Sequence, residues 1–147
     1  MAKFSVELPI DLIHDFQYLS DNTDQILGEM VQAGAETAMA NIKSNIPKGF
    51  IGSKIMDCLK ITKIYKTPSD GGINCKVAFY GYFDNQKGER VPAPLVVNVM
   101  EFGRSDGSIK RHPFVRKAFK KANIEESMHS YGEAYIRKAL INKGFTP

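Results

Sequence analysis

The stretch TDQILGEMVQAGAETAMANIKS, from Thr23 to Ser44, decides the fold. Leu27, Val31, Gly34 with Ala35, Ala38 and Ile42 recur at three- and four-residue steps, the spacing that puts side chains on one face of an α-helix. A segment of this length makes a rod of about 33 Å, the longest element in the chain. Its middle, Gly34-Ala35-Glu36-Thr37-Ala38-Met39-Ala40, is built of small side chains, so another backbone can come close. The expected neighbour is a sheet beneath the helix, although a second subunit could use the same seam. Pro47-Lys48-Gly49 stops the rod, because proline cannot continue the ladder and glycine tolerates the reversal.

Upstream, Phe4, Val6 and Leu8 alternate in a short strand from Lys3 to Leu8 that Pro9 ends. Leu12, Ile13, Phe16 and Leu19 predict a helix from Ile10 to Leu19, interrupted at Ser20-Asp21-Asn22. Asn22 and Gln25 then have the spacing of an N-cap with its reciprocal partner. Downstream, Gly49 to Ser53 reads as a glycine-rich loop, and Leu59 to Lys66 and Ile73 to Phe83 as two strands joined by Pro68-Ser69-Asp70-Gly71-Gly72. In the second strand Ile73, Cys75, Val77, Phe79 and Phe83 share one side, and Asn74, Lys76, Tyr80 and Tyr82 the other. Asp84 to Glu89 is a polar loop.

Residues Pro92 to Phe102 fit two structures. Their valines favour a strand, yet Pro92 and Pro94 suit a helix start, and Leu95, Val96, Val99, Met100 and Phe102 fit one helical face. Gly103 ends the element either way. Pro113 opens a helix through Ala122 that buries Phe114, Ala118 and Phe119. Asn123 with Glu126 offers a second cap, and Ile124, Met128, Tyr131, Tyr135 and Leu140 line a last helix closed by Gly144. The class is α+β in one domain over residues 1–147: a small antiparallel sheet, the long N-terminal helix packed across it, and C-terminal helices.

Composition agrees with one core. The 147 residues are 43% hydrophobic and 24% charged, and a chain of this size folds to a radius of gyration of roughly 15 Å. No apolar run approaches the ~20 residues of a membrane span; Leu95-Val96-Val97 breaks at Asn98. Glu7 interrupts the N-terminus before an apolar stretch develops, so no secretory leader and a cytoplasmic site of synthesis are expected. Cys58 and Cys75 form no zinc or disulfide framework. In the expected hairpin Cys75 falls opposite position 64 or 65, leaving two free thiols.

The net charge of +4 conceals a polarity. Residues 1–47 carry two basic and seven acidic groups, a net −5, while residues 48–147 carry eighteen and nine, a net +9. The steepest block holds Arg104, Lys110, Arg111, Arg116, Lys117, Lys120 and Lys121 against only Asp106. Such a block attracts phosphate or the acidic patch of an adjacent copy, or simply keeps the surface solvated.

Site chemistry is thin. Gly103-Arg104-Ser105-Asp106-Gly107 has the glycine-x-serine-x-glycine spacing of a nucleophile elbow, but the basic loop Ser108 to Pro113 follows where a helix is required. A hydrolase built on Ser105 is therefore a remote reading. Glu125, His129 and Glu133 share one helix face, as a metal could use, although such a row is commonly solvated surface. His14 and His112 lack partners at ligand spacing, and Gly49 to Lys54 lacks the order of a phosphate loop. No catalytic group, cofactor or metal is expected. Phe114 and Phe119 interleave the basic block but are assigned to the core, so a small basic nucleic-acid-binding protein is the alternative function, with unspecific phosphate attraction.

Val97-Asn98-Val99-Met100-Glu101-Phe102-Gly103-Arg104-Ser105, then His112-Pro113-Phe114-Val115-Arg116-Lys117-Ala118-Phe119 after a short loop, resembles a known family. These segments are similar to the tail-component, or neck and tail-completion, proteins of long-tailed bacteriophages. That family ends an apolar stretch in valine-glutamate-aromatic-glycine-threonine and, after a loop, continues proline-phenylalanine-leucine-arginine-proline-alanine. Here Arg104 replaces the threonine and Lys117 the second proline. The alanine-rich helix running into Asn41 to Pro47 and a glycine-rich loop also resembles the family.

The resemblance implies a homo-oligomeric ring, with an expected copy number of six, between the head connector and the tail tube, in a virion assembled in the bacterial cytoplasm. It implies contact with neighbouring neck and tube proteins, unspecific contact with DNA in the lumen, and no membrane. It also tilts Pro92 to Phe102 towards a helix. Opposite charges on identical subunits suit a head-to-tail contact that closes into a ring. Within the motif Glu101, Phe102, Gly103, Arg104, Pro113, Phe114 and Arg116, Gly103 is expected to stop the helix at positive φ. Glu101 is expected to pair with Arg116 or Arg104, and Phe114 to anchor the last helices on the sheet.

Overall fold

A computed structural model describes residues 10–142, apart from the side chains of 10–13, 15 and 16. The expected strand Lys3 to Leu8 and the stop at Gly144 lie outside the described residues. The elements run α1 (Ile10–Asp21), α2 (Thr23–Asn45), α3 (Phe50–Asp57), β1 (Leu59–Ile61), β2 (Tyr65–Lys66), β3 (Ile73–Asn74), β4 (Val77–Phe79), β5 (Tyr82–Asp84), β6 (Arg90–Pro92), α4 (Ala93–Phe102), α5 (Val115–Ala118) and α6 (Lys121–Asn142). The class is α+β, as the periodicities require.

Helix α2 extends one residue beyond the expected Ser44. It buries Ile26, Gly28, Gly34, Ala35, Ala38 and Ile42, whereas Leu27, expected on the inner face, is 41% exposed. The cap expected at Asn22 does not form. Its Nδ2 donates to the Tyr18 carbonyl at 2.8 Å instead, closing the last turn of α1. Backbone bonds from Asn22 N to Tyr18 O and from Ile26 N to Asn22 O carry the helical pattern across the joint.

Two packing zones share α2. Towards its N-terminal half the small-residue seam meets α6, where Gly34 lies against Ile124 and Met128, and Gly132 of α6 lies against Met30. The Thr37 and Ser127 hydroxyls meet at 2.8 Å, and the Tyr131 hydroxyl donates to Glu29 at 3.0 Å. These pairs make α6 antiparallel to α2, so the closest partner of the seam is a helix; α2 also crosses β1, β3 and β4. Towards its C-terminal end, Ile42 and Ile46 join Ile55, Leu59, Phe79, Phe83, Ala93, Val97, Phe114 and Ala118 in the core. Phe79 and Phe114 meet edge to face with ring centres 6.2 Å apart.

The hairpin forms, but as short antiparallel ladders. Leu59, Lys60 and Ile61 pair with Phe79, Ala78 and Val77, and Tyr65 and Lys66 pair with Asn74 and Ile73. The register shifts by one residue between these ladders, so Lys63 and Ile64 together stand opposite Cys75, as a β-bulge requires. Cys58 instead accepts the Tyr80 N–H, and both thiols are free. Gly81, at φ 86°, breaks the long second strand, after which β5 pairs with β6 around the polar loop.

Three expectations fail for local reasons. The Gly49 to Ser53 stretch is the start of α3, whose Gly52 lies so near Pro47 that a Cβ there would overlap the Pro47 carbonyl oxygen. The helix from Pro113 shrinks to the single turn α5, and Phe119, expected in the core, is 56% exposed. Asn123 lies inside α6, so the second expected cap does not exist.

Candidate functional site

Of the ambiguous stretch Pro92 to Phe102, Pro92 closes β6 and the rest, Ala93–Phe102, is helix α4. Pro94 sits in its first turn, where no intrahelical N–H is needed, and Gly103 ends it. Its inner face is Ala93, Val97 and Glu101, at four-residue steps. The phase therefore differs from the expected stripe: Leu95 is 58% and Phe102 60% exposed.

Glu101 organises the chain beyond α4. It is 4% exposed, the one buried charged residue among those described. Its Oε2 accepts the backbone N–H groups of Phe114 at 2.8 Å and Val115 at 3.0 Å, and its Oε1 accepts Arg116 N and Arg116 Nε, both at 3.1 Å. These are the orphan donors that open α5, whose N-cap position is held by Phe114, a residue with no acceptor of its own. A carboxylate from another helix thus does the work a serine or aspartate normally does in sequence. Desolvation is the largest influence on this carboxyl and pushes its pKa up. The bonds from Phe114, Val115 and Arg116 together outweigh it and hold the pKa below the usual carboxylate value. With four donors on its two oxygens, Glu101 is an anchor with no free lone pair aimed at a substrate.

The loop between is strapped down at both ends. Gly103 has φ 76°, and a Cβ on it would lie 2.8 Å from Ile109 O and 2.9 Å from Arg111 N. His112 N donates to Met100 O at 2.7 Å, and Arg104 N to Ile109 O at 2.9 Å. Glu101, Gly103, Phe114 and Arg116 therefore form one knot, with Phe114 wholly inside and the Arg116 guanidinium 4.9 Å from the Phe102 ring centre. Glu101 pairs with Arg116; Arg104 and Pro113 belong to the strapped loop.

The basic residues Arg104, Lys110, Arg111, Arg116, Lys117, Lys120 and Lys121 are all exposed, spread over the loop, α5 and the start of α6. Lys121 stands 3.5 Å from Glu125. Ser105 is exposed beside Asp106, whose Oδ1 is occupied by the Ser108 hydroxyl and N–H. Those bonds hold the Asp106 pKa down. Glu125, His129 and Glu133 lie along the exposed side of α6, and among the described residues no three acidic, histidine or cysteine side chains converge as metal ligands.

Sequence reasoning missed an open apolar groove of about 500 Å³ beside the knot, lined by Ile42, Val77, Phe79, Val97, Phe102 and Arg116 among others. Its walls are β4 on one side and α4 with α5 on the other. The four-step spacing of Ala93, Val97 and Glu101 was the signal that sets the phase of α4 and turns Phe102 outward. No helix among the described residues is long and apolar enough to cross a membrane. Comparison with protein-family models, with curated proteins and with solved structures found no match.

Proposed function

We propose that the chain is a non-enzymatic virion subunit of a long-tailed bacteriophage, assembling as a ring, of six copies by family likeness, at the head-tail junction or tail end. In that role it joins connector to tail tube, and its lumen passes DNA. The single observation that supports this reading best is the Glu101 knot. The two separated halves of the motif, Val97 to Ser105 and His112 to Phe119, are bonded to each other through one buried carboxylate. Their outward products are an exposed Phe102 and Arg116 beside an apolar groove, a surface suited to contact and not to catalysis. Opposite net charges on the two portions of the sequence favour head-to-tail docking of identical copies.

The test is native mass across a concentration series, alone and with the neighbouring neck proteins, followed by electron microscopy of any assembly. Discrete rings are expected; a monomer under every condition refutes the proposal. A second reading, nucleic-acid binding, gains from Phe119, an exposed ring next to Lys117, Lys120 and Lys121. It requires duplex or single-strand affinity that falls steeply with salt in a protein that stays monomeric.

A further inference from the structure

We infer that the groove between β4 and α4 receives the N-terminal segment Lys3 to Leu8 of a neighbouring copy, added as a strand to the free edge of β4. This deepens the ring reading and rests on it for the identity of the neighbour.

The groove offers a strand edge. Tyr80 N donates to Cys58 O and Thr62 N to Lys76 O, so the even-numbered positions of β4 bond to β1. In an antiparallel ladder the intervening residues point their N–H and C=O groups the other way, which leaves Val77 and Phe79 presenting a donor and an acceptor each to the groove side. Among the described residues β4 has no second strand. The opposite wall supplies Pro94, Val97, Phe102 and Val115, apolar surface for alternate side chains of an added strand.

The segment offers the complement. Phe4, Val6 and Leu8 fall on one side and Ser5 and Glu7 on the other, the period-two pattern of a strand with one buried face. From Met1 to Asp21 the chain carries Lys3 against Glu7, Asp11, Asp15 and Asp21. Exposed Arg116 lines the groove and supplies the opposite charge.

The chain leads away from its own groove. Ile42 lines the groove, while the joint at Asn22 lies at the other end of α2, about 30 Å away by helical rise. Helix α1 continues beyond that far end: its Tyr18 shares a cleft with Lys138 and Asn142, the closing turns of antiparallel α6. The chain N-terminal to Tyr18 therefore leaves from the end of α2 farthest from the groove. The occupant assigned is therefore the arm of a neighbouring subunit, with closure on the chain's own arm as the contrary outcome of the test.

The test uses the full chain. Ala78, on the opposite side of β4 from Phe79, is paired with either polar position of the arm in S5C/A78C and E7C/A78C, with the single-cysteine variants as controls for Cys58 and Cys75. On oxidation at assembling concentration, a ladder of covalently linked copies is expected on a denaturing gel in at least one double variant and in no control. Rings by microscopy without a ladder overturn the strand exchange and leave the ring reading standing. A monomer of increased mobility, closed on its own arm, also overturns it. No ladder with no assembly at any concentration overturns both. Independently, V6D is expected to raise the concentration of half-assembly at least tenfold with unchanged melting; unchanged assembly refutes the inference.

Discussion

Replacing Glu101 by Gln tests the knot with the least change of shape. The carboxylate accepts four bonds, two on each oxygen, and the Gln amide can keep only one such pair; its NH2 must face the other two donors. The cheaper orientation keeps Phe114 and Val115 on the amide oxygen and abandons Arg116. There the Arg116 side chain is 60% exposed and is worth no more than about 1 kcal/mol, whereas the part-buried Arg116 N–H loses a bond to a charge worth about 1.5–3 kcal/mol. The two retained bonds also weaken, because their acceptor is now neutral. The sum is about 3 kcal/mol, or a fall of about 6–12 °C in melting temperature for a chain of this size. Melting followed by far-UV circular dichroism, with urea titration for the free energy, reads it. Arg116→Ala is the control, expected at or below about 1 kcal/mol. A Glu101→Gln loss under about 1 kcal/mol, or one no larger than that of Arg116→Ala, refutes the idea that Glu101 holds α5 in place.

The same geometry sets further outcomes. Because the Glu101 pKa is lower folded than unfolded, its contribution is present above pH about 4.5 and disappears as pH falls through the folded value; the stability gap between wild type and Glu101→Gln should close in acid titrations monitored by urea midpoint. Gly103→Ala, at φ 76° with Ile109 O and Arg111 N in the way, is expected to cost about 3 kcal/mol, while Gly107→Ala, at φ 73° with open space around it, costs about 1 kcal/mol. Phe114→Ala should lose about 3–5 kcal/mol as a core truncation, and exposed Phe119→Ala under about 1 kcal/mol; reversal of that order in urea midpoints contradicts the packing described.

Much of this architecture is legible in the sequence where one period runs uninterrupted. Thr23 to Ser44 declares its helix, and the Pro68 to Gly72 turn declares the hairpin, because both signals are local. The Glu101 to Arg116 pair and the positive φ of Gly103 follow from the family likeness, whereas the burial of Phe114 follows already from the helix read from Pro113 onward. Errors gather where tertiary contact overrides local preference. Gly52 reads as loop, yet its lack of a Cβ is what lets α3 close against the Pro47 carbonyl. Asn22 has the cap's chemistry but commits its side chain to Tyr18. Phe119 follows α5 at φ −81° and ψ 70°, and that turn swings its ring out of the core. Spacing shows at most the outward turn of Phe102; the groove itself is not legible, since Ile42, Val77 to Phe79, Val97 to Phe102 and Val115 come from separate segments that meet only after folding.

Because α2 is common to both packing zones while α6 has its principal contact with α2 alone, the two zones should not lose structure together. Helix α6 can peel away without exposing a fully buried side chain of its own, its one buried residue being Gly132. Its amides should exchange with deuterium through a partial opening, whereas those around Ile42 await complete unfolding. A hierarchy of that kind gives the molecule a loosely latched outer layer that can be lifted and reset while the compartment holding Glu101 stays shut.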